Sequence, residues 1–291
     1  MSHVFDRLID ATRAARSRVC VGLDPHLELL PPDEKGKGPV RHVRDFLFEV
    51  LAAVERIVPC VKPQIAFFEA LGPEGYALYF DVIREAHRRG LFVIGDIKRA
   101  DIGSTAAAYA KAHLAADDGS AADAVTLNPY LGLDGIEPFL KVGRTKGRGV
   151  FVLARTSNPS AKEFQGEGGA GAREGEPLYM KVGRALERWG AARIGERGYG
   201  DVGAVVGATY PAELAQLRAA MPEAIFLVPG FGAQGGTADD VRAAFRADGL
   251  GAVVNSSRGV LFPFRPDEKD WEAKVERAAR EAAAALAVRA G

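Results

Sequence analysis

The chain has 291 residues, and Lys plus Arg equals Asp plus Glu at 38 each. This length suits one large α/β barrel or two smaller domains, and a formal net charge of zero removes any global electrostatic case for nucleic acid or an acidic membrane surface. No apolar run reaches the roughly 18 residues of a spanning helix, and the start, Met1-Ser-His-Val-Phe-Asp-Arg7, lacks the charged-then-apolar order of a secretory leader, so a cytoplasmic protein is expected.

In chain order, a helical segment at 5–16 comes first and is placed to cover the bottom of a barrel. Apolar, β-branched runs then recur at 19–24, 58–64, 91–98, 124–128, 150–156, 202–208, 225–230 and 252–255. Between them lie segments of helical periodicity at 41–56, 74–89, 104–116, 133–142, 178–194, 211–220 and 239–247, and a last one at 270–289 closes the chain. Repeated strand-then-helix units predict a parallel sheet, and about eight of them favour a closed (β/α)8 TIM barrel, a single domain over 1–291 with an extra N-terminal helix. The two cysteines, Cys20 and Cys60, sit inside apolar runs and read as buried, reduced thiols. Neither joins a C-x-x-C or Cys/His cluster, so zinc is not expected. His26, His42, His87 and His113 read as surface or packing residues, because none has a second candidate ligand at useful spacing. Segment 158–177 is rich in Gly and charge, a composition that fits a mobile lid or a disordered insertion.

The strand ends carry the functional signal. Asp24, Lys62 and Gln64, Asp96 and Lys98, Asn128, Arg155 to Ser157, Pro229, and Asn255 to Arg258 all fall where apolar runs give way. In a barrel of this class the active site lies at that rim, where the strand-to-helix loops converge. Phosphate is often bound there between the loops after strands seven and eight. Here those loops read Val228-Pro-Gly-Phe-Gly-Ala-Gln-Gly-Gly236 and Asn255-Ser-Ser-Arg-Gly259. Glycines let backbone N–H groups approach an anion, Gln234 adds a neutral donor, and the Arg258 guanidinium fits phosphate oxygens.

The densest charge is in Gly95-Asp-Ile-Lys-Arg-Ala-Asp-Ile-Gly-Ser-Thr105. Residues two apart on a strand share a face, so Asp96 and Lys98 do, whereas Asp101 falls beyond the strand. Three readings of this cluster compete: a structural ion-pair network, carboxylates for Mg²⁺, and acid–base chemistry with Lys98 as proton donor. Lys62, at the end of the neighbouring strand, weighs against a dication and completes an alternating Lys–Asp–Lys–Asp array.

The D-x-K-x-x-D-I-x-x-T string at 96–105, with Asp24, Lys62, Pro229 to Gln234 and Arg258, resembles the orotidine 5′-phosphate decarboxylase family. The wording of 61–69 and Asn255-Ser-Ser-Arg258 is similar to its longer bacterial branch. The resemblance implies decarboxylation of orotidine 5′-monophosphate to uridine 5′-monophosphate with no metal and no organic cofactor. It implies that Lys98 donates the proton that replaces CO₂ and that Asp96 lies beside the departing carboxylate. Lys62 and Asp24 would bind ribose hydroxyls. Ser157 would bond the pyrimidine, with Pro229 packed near it, and Gln234 and Arg258 would hold the phosphate. It also implies a homodimer in which Asp101, Ile102 and Thr105 reach the partner's site. Two alternatives share the barrel: a Mg²⁺-dependent sugar-phosphate decarboxylase, which expects an acidic residue where Lys62 stands, and a phosphate-ligand-binding barrel without catalysis.

Overall fold

The computed structural model describes residues 2–33, 35–166, 175–231 and 237–287. Eight parallel strands, β1 (Val19–Leu23), β2 (Cys60–Pro63), β3 (Phe92–Arg99), β4 (Ala124–Leu127), β5 (Gly149–Arg155), β6 (Val202–Val206), β7 (Phe226–Val228) and β8 (Ala252–Ser256), close into one barrel in sequence order. The seam is made by β8 pairing back onto β1, with Cys20 opposite Asn255. The helices are α1 (Val4–Ala15), α2 (Pro39–Val54), α3 (Ile65–Glu69), α4 (Gly72–Arg88), α5 (Gly103–Leu114), α6 (Leu133–Lys146), α7 (Leu178–Gly190), α8 (Pro211–Ala220), α9 (Arg258–Leu261) and α10 (Trp271–Ala285). The eight strands and the longer helices lie where the periodicity predicts, and the short α3 and α9 are additional.

The strands are apolar on both faces because both faces are buried. Alternate residues such as Val19, Val21, Val61, Val93 and Val125 face the helices and form the larger core. Their neighbours, Cys20, Cys60, Phe92, Ile94, Phe151, Ile225 and Val253, belong to a second cluster that fills the barrel lumen. Val4, Phe5, Leu8 and Ile9 of α1 join that inner cluster, so α1 plugs the N-terminal end of the barrel, as expected. Cys20 and Cys60 are register partners, both buried and free. At the same end Asp123 accepts from Arg7 of α1, from His87 Nε2 of α4 (2.9 Å) and from the Val93 backbone (2.9 Å). Burial alone would lower the His87 pKa, but the Asp123 carboxylate overrides it and raises it.

One expected helix does not form. Segment 239–247 holds only a 3₁₀ turn, Arg242–Ala244, and Phe245 is already extended. Asp240 is used up capping Thr237, and Arg246 turns outward to the carbonyls of Pro222 and Gly198. Gly249 and Gly251 follow with positive φ, which leaves too few residues to repay helix nucleation. In the 158–177 segment, Pro159–Glu163 forms a 3₁₀ turn with Ala161 buried, and residues 167–174 lie outside the described residues.

Candidate active site

The alternation that fills the lumen also builds the site. One step above the Cys60, Ile94 and Ala124 layer, the same inward faces carry Lys62, Asp96 and Thr126. On the other side of the lumen they carry Leu153, Val205, Leu227 and Asn255. These residues floor a cavity of about 610 Å³ at the C-terminal rim. Its wall over β2 to β4 is charged, and its wall over β5 to β7 is apolar. That division suits a flat ring with one polar edge.

Asp96 is the centre of the charged wall. Oδ2 accepts from Lys62 Nζ at 2.8 Å and Gln64 Nε2 at 2.9 Å, and Oδ1 accepts from Lys98 Nζ at 2.5 Å and Thr126 Oγ1 at 2.8 Å. Four donors satisfy a buried carboxylate that would otherwise be very costly. Burial would push the Asp96 carboxyl up, yet the Lys62 and Lys98 ammonium groups hold it well below the usual carboxylate range. Burial likewise works against the Lys62 ammonium, and the carboxylates of Asp96 and Asp24 reverse this and raise its pKa. Asp24 lines the cavity, and its Oδ1 is buried with no hydrogen-bond partner among the described residues.

Lys98 departs from strand geometry. Its φ is 43°, in the left-handed region, which costs a β-carbon-bearing residue about 1–2 kcal/mol. The β3–β4 register slips between Gly95 and Arg99, and the Lys98 N–H goes to Thr126 Oγ1 (3.0 Å) rather than into the ladder. The slip lifts the Lys98 side chain to 45% exposure while keeping its ammonium on Asp96. Strain of this kind persists where the surroundings over-determine it, commonly at functional sites.

Ser157, Pro229 and Arg258 also line the cavity, with Arg258 opening α9 at its mouth. Gly207 at the end of β6 lets Ser157 sit close: a β-carbon there would lie 3.0 Å from Ser157 Cβ and 3.1 Å from its backbone N. Gln234 lies outside the described residues. Asp101, Ile102 and Thr105 are not brought to this cavity. Asp101 accepts from the Ile102 N–H at 2.9 Å, Ile102 is 55% exposed, and Thr105 is exposed in the first turn of α5. Among the described residues, no group of three or more His, Cys, Asp or Glu side chains is placed to hold a metal.

Gln64 lines the cavity as a polar strand end beside Lys62, whereas Thr126 and Phe67 were not anticipated. Thr126 carried no signal, since a threonine in a strand is an ordinary β-former. His26 is not simply a surface residue: it lines the cavity with its ring 4.6 Å from that of Phe67, which lines it too.

A family model described as Orotidine 5′-phosphate decarboxylase / HUMPS family matches residues 17–268, the span from just before β1 to beyond α9. The chain belongs to that family. It is 49% identical over 280 residues to an orotidine 5′-phosphate decarboxylase of Rhodopirellula baltica, covering 90% of this chain and 91% of the relative. Among solved structures it is similar to the Leishmania donovani OMP decarboxylase, with 33% identity, a TM-score of 0.76, and 99% and 100% of the two chains covered. It is also similar to the Leishmania donovani UMP synthase, with 35% identity and a TM-score of 0.77. There, 98% of this chain spans 56% of the other, a little over half its length. The family match covers every strand of the barrel, including those that carry Asp96, Lys98 and Lys62.

Proposed function

We propose that this chain decarboxylates orotidine 5′-monophosphate to uridine 5′-monophosphate in pyrimidine synthesis, as one catalytic domain over 1–291 working in the cytoplasm, with Lys98 as the proton donor. The observation that carries the reading is the buried Asp96 carboxylate held between Lys62 at 2.8 Å and Lys98 at 2.5 Å beside an apolar wall. Loss of CO₂ breaks the bond at C6 of the pyrimidine and leaves its electron pair on an sp² carbon that the ring delocalises poorly. An ammonium at that carbon stabilises the developing charge and then supplies the proton. Lys98 gives up that proton and recovers one from solvent, to which its side chain is open.

The other residues have complementary parts. Asp96 faces the substrate carboxylate and keeps Lys98 aimed. Asp24 and Lys62 take ribose hydroxyls, and the unpartnered Asp24 oxygen is suited to a hydroxyl donor. Ser157 bonds the base, Pro229 packs by it, and Arg258 with Gln234 holds the phosphate, whose remote binding energy orients the reacting ring. The Lys62 ammonium among the carboxylates repels a dication, which favours this reaction over the magnesium-dependent one. Purified protein is therefore expected to consume orotidine 5′-monophosphate equally with and without EDTA. No turnover would overturn the decarboxylase reading, and EDTA-sensitive turnover of a sugar phosphate would favour the alternative.

The working unit in this reading is a homodimer. Half-buried Asp101 and exposed Ile102 and Thr105 stand outside their own cavity; the Asp101 carbonyl and Leu131 both approach Gly135 of α6, so the exposed Tyr130, Leu131 and Leu133 lie beside them. Apolar side chains grouped in this way fit a subunit interface that carries the three residues into the partner's site. Mixing Lys98→Ala and Asp101→Ala proteins after subunit exchange is expected to restore about a quarter of wild-type activity, since half the dimers are mixed and each holds one intact site of two. Mixed samples no more active than either parent would show that Asp101 serves its own chain.

A further inference from the structure

Arg155 is the largest fully buried side chain among the described residues, at 1% exposure, and no step above uses it. It ends β5, immediately before the Thr156 and Ser157 of the cavity. The β5–β6 register slips between Leu153 and Arg155, and the side chain lies against the start of α8 instead of in the lumen. There Nε pairs with Glu213 of the first turn of α8, and the guanidinium stacks 3.9 Å from the centre of the Tyr210 ring.

The other side of the guanidinium meets the loop after β5. Nη1 lies 3.4 Å from the Thr156 carbonyl and 3.4 Å from Gln165 Oε1. Gln165 Oε1 in turn accepts from the Thr156 N–H at 2.8 Å, and Gln165 Nε2 donates to Thr156 Oγ1 at 2.9 Å. Thr156 Oγ1 bonds Asn158 Oδ1 at 2.6 Å. The Arg155 carbonyl accepts from Gly207 N at 2.8 Å, the glycine against which Ser157 is seated. Both ends of the 156–165 loop are thus fastened to one cation that is itself fastened to α8. A solvated surface arginine would do none of this. A buried one must be paired to be tolerated, and the pairs found here lead to the loop after β5 and to the start of α8, while Nη2 is buried without a hydrogen-bond partner among the described residues.

We propose that Arg155 is a positioning residue for the reaction: through Gln165 and Thr156 it fixes the loop that presents Ser157 to the pyrimidine, and through Glu213 it locks that loop to α8. The inference rests on the decarboxylase reading above. Arg155 touches no reacting atom, so its removal loosens the base in ground state and transition state alike, which raises KM more than it lowers kcat.

The test measures kcat, KM and Tm for wild type, Arg155→Met, Arg155→Lys and Gln165→Leu with orotidine 5′-monophosphate. Gln165 is partly exposed, so Gln165→Leu cuts the link to Thr156 while sparing the Arg155–Glu213 pair. KM is expected to rise about tenfold in Arg155→Met and Gln165→Leu, with kcat within about twofold of wild type. Arg155→Lys keeps a charge for Glu213 but lacks the fork, so it is expected to regain Tm without regaining KM. If Arg155→Met does not fold, Gln165→Leu and Arg155→Lys decide. A wild-type KM in Gln165→Leu and Arg155→Lys would reduce Arg155 to a stability element and overturn the proposal. A wild type that does not turn over orotidine 5′-monophosphate would overturn the reading beneath it, a different and separately visible failure.

Discussion

Lys98→Ala is expected to lower kcat for orotidine 5′-monophosphate by at least about 10⁴-fold, combining the loss of a general acid with the loss of charge stabilisation at C6. The fold should survive. The Lys98 side chain is 45% exposed and pairs with Asp96, and Asp96 keeps its bonds from Lys62, Gln64 and Thr126 when that pair is gone. Alanine also meets the same φ of 43° as lysine, so no new backbone strain enters. Lys98→Arg is the sharper control. It restores a cation beside Asp96, but a guanidinium holds its proton too tightly to give it to carbon. Its kcat should therefore stay far below wild type. Rapid-quench or spectrophotometric turnover measurements decide the matter, and more than about a hundredth of wild-type kcat in Lys98→Ala would exclude Lys98 as the proton donor.

Asp96→Ala should damage activity and stability together. The Lys62 ammonium is buried and pairs with the Asp96 carboxylate at 2.8 Å. Breaking a buried pair by removing one member typically costs about 3–5 kcal/mol, because the other charge is left uncompensated. Denaturant unfolding of Asp96→Ala against wild type measures this. Adding Lys62→Met should recover most of the loss, since an apolar side chain of similar length removes the stranded charge. If the double variant is as unstable as the single one, the loss arises elsewhere than in the stranded ammonium.

The pH dependence follows from the same pairing. Asp96 has a folded-state pKa depressed by Lys62 and Lys98. Its contribution is fully present above the ordinary carboxylate pKa and is lost as pH falls toward the folded value. The stability gap between wild type and Asp96→Ala should thus be constant through neutrality and narrow below about pH 4.

The barrel was legible because its cause is local and repeated. Strands buried on both faces must be apolar throughout, helices between them must be apolar on one side, and both periods are written in the chain. The rim was legible for a related reason. Polar residues and a proline at the ends of apolar runs mark the rim rather than a lumen core, so Asp24, Lys62, Asp96, Ser157, Pro229 and Arg258 stood out, and all six line the cavity. Residues whose role depends on a distant neighbour were not legible. Thr126 is an ordinary strand threonine until the slip in β3 brings it to the Lys98 N–H and to Asp96. The 239–247 segment has helical spacing, but Asp240 and Arg246 are drawn to partners outside it.

The sequence by itself determined the eight strand-and-helix units, the charges available at their ends, and the spacing that lets Asp96 and Lys98 meet. These depend on side-chain alternation and on the order of residues along one strand. Only the tertiary structure decided how those charges are distributed. Closure of the barrel sets Lys62 of β2 against Asp96 of β3, the register slip forces Lys98 into a left-handed turn, and the loop after β5 is tied to α8 through Arg155. These links join residues 10 to 58 positions apart or a backbone angle to a neighbouring strand, and no local period encodes such a pairing. The free energy of a buried ion pair is settled only when its partners and its solvent exposure are both fixed.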